Sequence, residues 1–178
     1  MRFLRLIGWV GVALLLVGTV VSYPQLPATI PQHIDAGGNA GNFVARSPFA
    51  WGWPVVLTLL LLILNEGLRA WLPRKPELFN FPGKAQLLRL PAEYRGEVVV
   101  RMQHFLDLMS VQLVVTFALV QWMQWRGAHG ANSEALTVML IVGPSLFMVV
   151  VGLFLSGMQG AVDEAERRYE SRRHPKHF

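Results

Sequence analysis

His33 and Asp35 stand two positions apart in a segment rich in proline and glycine. An imidazole beside a carboxylate ligates metals or holds the polar groups of a peptide. Asn39 and Asn42 lie close enough to assist. The same side chains also hydrogen-bond turn backbone, the reading that spacing alone favours. The alternating acidic ladder of a calcium loop is missing, so no metal site is expected.

A second group lies further along. His104 and Asp107 are three residues apart, which puts them on one face of a helix. Asn65, Glu66 and Arg69 approach the same level from the preceding apolar stretch. Ionisable groups at the margin of a membrane serve either a proton relay or interhelical packing. The depth here, about one turn inside, favours packing, with Glu66 paired to Arg69 or to a residue of the next helix. Gln112, Gln121 and Gln124 mark a polar seam on that next helix, the usual sign of interhelical hydrogen bonding.

Other chemistry is excluded. Without cysteine there is no disulfide, thiol nucleophile, Cys zinc site or Fe–S cluster. Only His104 lies near the hydrocarbon, so one chain cannot supply two facing histidines to a haem. No phosphate loop and no His-Glu-x-x-His is present. No cofactor is expected.

The elements that position these residues follow from composition. Hydrophobic residues make up 53% of the 178 and charged ones 15%, against about 25% in soluble domains. The net charge of +5 therefore points to a membrane surface rather than to nucleic acid. Spanning a bilayer takes about 20 apolar residues in a helix. Four segments qualify, about 3–21, 50–71, 105–125 and 135–156. The last contains Gly143-Pro144, which predicts a kink. The first also has the basic start and small-residue end of a signal peptide; its long apolar run favours an uncleaved anchor.

Lysine and arginine set the orientation. Arg2 and Arg5 precede the first span. Arg69, Arg74, Lys75, Lys84, Arg89, Arg95 and Arg101 lie at the end of the second span or before the third. Arg167, Arg168, Arg172, Arg173 and Lys176 follow the fourth, and only Arg46 and Arg126 fall on the other side. Both ends and the loop 72–104 are thus expected in the cytoplasm, and 22–49 outside. Trp51, Trp53, Trp122 and Trp125 fit an outer aromatic belt.

In 22–49, Pro24, Pro27, Pro31 and Pro48 forbid a regular helix, and Gly37, Gly38 and Gly41 provide turns. Leu26, Ile30, Ile34 and Phe43 are too apolar to float freely, which predicts a compact, irregular cap. In the loop, Asn80-Phe81-Pro82-Gly83 is a turn signal. From Ala92 to Trp125 only Gly96 interrupts a single long helix that projects beyond the bilayer. Asp163 to Arg173 is charged and expected to be helical, fraying at Pro175.

Read as a pattern, Leu26-Pro27, then Ile30-Pro31-x-His33-x-Asp35-x-x-Gly38, then Phe43-x-x-Arg46 resembles the bacterial membrane family called domain of unknown function 1648. That family reads Leu-Pro, Ile/Val-Pro-x-His-x-Asn/Asp-x-x-Gly, often Pro-Asp, an aromatic and a Lys, between its first two transmembrane helices. Pro31, His33, Asp35 and Gly38 match the core and Phe43 matches the aromatic. Arg46 stands where Lys is usual. Ala40-Gly41 replaces Pro-Asp, so no role of that carboxylate carries over. Asn80-Phe81-Pro82 and a helix ending in Gln121-Trp122 also look like some members. The same domain opens longer SdpI-like immunity and signalling proteins. The resemblance implies a bacterial plasma-membrane location and a sensing or protective role.

The reading is an all-α integral membrane protein: one membrane domain over 1–178, with four spans, outer cap 22–49, cytoplasmic loop 72–104 and cytoplasmic tail 157–178. The expected function is non-enzymatic, with a peptide or protein bound at the cap through Pro31, His33, Asp35, Gly38, Phe43 and Arg46. A cytoplasmic protein partner would meet the long third helix and basic loop, and Glu66, Arg69, His104 and Asp107 form a polar cluster at the inner interface. One rival is an accessory subunit of a larger membrane complex, with small-residue packing faces at Gly152, Ser156 and Gly160. The other is a membrane enzyme or transporter with a pocket where Glu66, His104 and Asp107 converge.

Overall fold

A computed structural model describes residues 2–35, 37–132 and 134–173. The elements run α1 (Arg2–Ser22), β1 (Thr29–Ile34), β2 (Ala40–Ala45), α2 (Pro48–Trp71), α3 (Lys84–Arg89), α4 (Ala92–Ala128) and α5 (Glu134–Arg173). Among the described residues, α1, α2, α4 and α5 are long and apolar enough to cross a membrane. Large apolar side chains such as Leu14, Leu60, Leu146 and Leu153 stand exposed along them. Such surfaces are stable against lipid rather than water. The chain is thus a multi-pass, mainly helical membrane protein, as its composition predicts.

Two features refine the sequence reading. The cap is not wholly irregular: β1 and β2 pair antiparallel, with Ile30 opposite Val44, Pro31 opposite Phe43 and His33 opposite Gly41. The prolines that forbid a helix do not forbid a short two-stranded ribbon, where one missing N–H costs little. The fourth span and the charged tail are one helix of 40 residues, with Pro144 inside it. At 1.5 Å per residue it is about 60 Å long, and α4, with 37 residues, about 55 Å. Both exceed a hydrocarbon core of about 30 Å. Pro175, where fraying is expected, lies outside the described residues.

The chain divides into two compact units, Met1–Ile63 with Leu108–Phe147, and Leu64–Asp107 with Met148–Phe178. In the first, α1 meets α4 where side chains are small. A Cβ on Gly11 would fall 2.8 Å from Val114 Cγ1, and one on Gly8 3.7 Å from Ser110 Cβ. Val12, Leu62 and Val114 fill the adjoining core. The cap rests on a separate core of Leu26, Ile30, Ala50 and Trp51.

In the second unit, α3 and the neighbouring turns close over Leu72, Phe81, Leu87, Val98, Met102, Met158 and Val162. The Asn80–Gly83 turn is confirmed: the Lys84 amide donates to the Phe81 carbonyl. Gly83 has φ +79°, and a Cβ there would lie 3.2 Å from Val162, so glycine is required on both counts. Gln86, Gln159, Asp163 and Glu166 hydrogen-bond to one another across α3 and α5.

Candidate functional site: the cap hairpin and its anchors

The cap is built onto the start of α2. Ser47 is the N-cap, its hydroxyl accepting the Ala50 amide at 3.1 Å, and Pro48 opens the helix with φ already set. Pro54 then sits inside α2. A proline removes the helical bond to the carbonyl four residues back, which here is Ala50. Gln32 of β1 supplies the missing donor, its Nε2 lying 3.1 Å from the Ala50 oxygen. The cost of an interior proline is thereby converted into an anchor for the hairpin.

Two glutamines of α4 add to the anchoring. Gln121 Nε2 donates to the Trp51 carbonyl at 3.0 Å, and Gln124 Nε2 to that of Pro31 at 3.4 Å. The polar seam expected on this helix therefore holds the cap and the start of α2. Gln112 instead bonds Thr116 of its own helix. Gly127 lets the hairpin sit directly on α4: a Cβ there would come within 3.0 to 3.2 Å of Ala40, Ile34 and Pro31. His129 stacks on Trp125, with Nδ1 2.7 Å from the Trp125 carbonyl and Nε2 3.2 Å from that of Gln25.

The residues singled out from the sequence separate into supports and presented groups. Pro31 is buried under α4. Asp35 closes the turn, accepting the Asn39 amide at 2.9 Å and the Asn39 side-chain amide at 3.1 and 3.2 Å. Those donors, the backbone one foremost, hold its carboxyl below the usual aspartate range. Gly38 has φ +79°, and its amide donates to the Asp35 carbonyl. Arg46 straps the base of the hairpin, with Nη1 on the Leu26 carbonyl and the guanidinium 5.6 Å from the Tyr23 ring centroid. His33 and Phe43 remain outward, both exposed, and His33 faces a glycine that offers no side chain to cover it.

At the other group, the structure brings Arg69 and Asp107 together. Arg69 Nε lies 3.0 Å from Asp107 Oδ1, and Gln103 Nε2 donates to the Arg69 carbonyl. Asp107 is 3% exposed and Arg69 22%. The apolar recess of this unit is lined by Leu72, Phe79, Phe81, Met102, Phe105 and Phe154 among others, and by none of Glu66, Arg69, His104 or Asp107. No cluster of three or more metal-ligating side chains occurs among the described residues.

Residues 10–58 match the family model of DUF1648, a domain of unknown function. The DUF1648 match takes in the second half of α1, the cap and the first half of α2. It includes Gln32, Ala50 and Pro54 as well as every cap residue singled out above. The Arg69–Asp107 pair and most of α4 lie beyond it. No curated protein and no solved structure matches the chain.

The sequence reading passed over Gln32, Gly127 and His129. For Gln32 a signal existed: a proline inside a span frees a carbonyl whose position is known in advance, and a polar residue nearby must find it. For Gly127 and for the bond from His129 to Gln25 there was none, since those partners lie about 90 or more residues away.

Proposed function

We propose that this is a non-enzymatic protein of the bacterial plasma membrane that binds a peptide or protein at its cap, in the manner of SdpI-like immunity and sensing proteins. In this reading both chain ends face the cytoplasm and the cap faces out, an arrangement that the placement of lysine and arginine supports. The observation that carries the reading is a rigidly seated hairpin that leaves an imidazole and a phenyl ring exposed. Gln32, Gln124 and Arg46 fix the backbone, and His33 and Phe43 are left to solvent. Large exposed aromatics on a fixed scaffold are what binding surfaces use.

The test is purification from the native membrane in mild detergent, with mass spectrometry of whatever accompanies the protein. A stoichiometric peptide or protein that is lost in both His33→Ala and Phe43→Ala, with far-UV circular dichroism unchanged, supports the proposal. A protein that comes out alone, or a partner indifferent to both substitutions, overturns it.

A further inference from the structure

We infer that the groove between α1 and α4 on the cap side holds one acyl chain of a membrane lipid. The two helices touch at Gly11 and Val114. Above that contact they part: a Cβ on Gly18 would meet nothing within 4 Å. The space left is a groove of about 570 Å³, walled by Leu14 and Val115 and backed by the buried Trp51. That volume lies in the range of ligand sites.

Its length matches one leaflet. From Gly11 to Ser22 the helix rises about 16 Å, against about 15 Å for half a hydrocarbon core.

The polar pattern agrees. The hydroxyl and amide donors of the wall are already engaged: Thr19 Oγ1 on the Leu15 carbonyl, Ser22 Oγ on that of Gly18, and Gln121 Nε2 on that of Trp51. Deeper in, the wall is Gly11, Leu14, Leu15, Val114, Val115 and Ala118, so the deep part of an occupant is apolar. At the rim stand Gln25, Trp122 and Trp125, the amphipathic side chains that meet headgroups at an interface. The groove thus takes a molecule that is hydrocarbon below and polar above, and a lipid of the cap-side leaflet is that molecule. This site is independent of whatever the hairpin binds.

The full chain would be reconstituted in phosphatidylcholine vesicles containing a phosphatidylcholine with a diazirine on one acyl chain. Photolabelled peptides would then be mapped by mass spectrometry. Labels should concentrate on residues 11–22 and 114–125. They should fall at least threefold there in Gly18→Leu, and again in Ala118→Leu, while labelling around the lipid-facing Leu153 stays constant. Labels spread in proportion to exposure in the unsubstituted protein, or labelling of the groove unmoved in whichever variant folds, would overturn the inference. So would cross-linking of the groove to a second copy of the chain in place of lipid.

Discussion

Gln32 Nε2 reaches across 3.1 Å to the carbonyl of Ala50, the one oxygen in α2 that Pro54 deprives of its helical donor. A proline in a membrane span and a glutamine in an extramembrane hairpin are thereby parts of a single device. Each explains the other, and together they fix where the cap sits on the helix.

Substituting Gln32 by Leu leaves the Ala50 carbonyl unpaired. The expected loss is about 1–3 kcal/mol, the cost of a buried acceptor without a donor. In a Pro54→Ala background the residue at position 54 regains an N–H, and Gln32→Leu should become nearly neutral. Thermal unfolding in detergent of the four proteins in this cycle measures the coupling. Additive effects would show that the glutamine and the proline act separately.

Arg69 and Asp107 form a largely buried ion pair. Asp107→Leu alone strands the guanidinium and should cost about 3–5 kcal/mol, while the double variant Arg69→Met with Asp107→Leu should recover most of it. Unfolding midpoints of the unsubstituted protein and the two variants decide the matter. A double variant as damaged as the single one would point to a role for the charges beyond mutual compensation.

Asp35 has its carboxyl held below the ordinary value by the Asn39 donors. A carboxyl lowered in the folded state stabilises the turn fully above its unfolded pKa of about 3.9, and that stabilisation disappears as pH falls through the folded pKa. The amides of Gly38 and Asn39 should therefore stay protected at neutral pH and lose protection only in acid below about pH 4. Asp35→Asn should show weaker protection at neutral pH and no acid step. Hydrogen exchange of residues 29–45 reads both.

Gly127 admits the hairpin to within contact of α4. Gly127→Val puts methyl groups where Pro31, Ile34 and Ala40 already stand, and overpacking of this kind costs about 1–3 kcal/mol. Because the clash lies at the hairpin's seat, exchange across β1 and β2 should quicken while the α3 region of the second unit keeps its protection. Uniform loosening of both units would contradict this account.

What could be read from the residues in order was whatever depends on near neighbours. The four apolar runs give the spans, since length and hydrophobicity suffice for a helix to cross lipid. Pro24, Pro27 and Pro31 exclude helix from the cap, and Asn80 to Gly83 makes a turn wherever it is placed. The motif from Leu26 to Arg46 gives the resemblance to DUF1648.

The tertiary structure decided what depends on distant segments. It showed that Asp35 and Arg46 fasten the hairpin while His33 and Phe43 face outward. It gave Arg69 to Asp107, a carboxylate 38 positions away. It aimed Gln121 and Gln124 at the backbone of Trp51 and Pro31, and opened a groove at Gly18 by closing the helices at Gly11. A side chain's type limits the bonds it can make, but which carbonyl lies within 3 Å of it is settled only when helices far apart in sequence pack side by side.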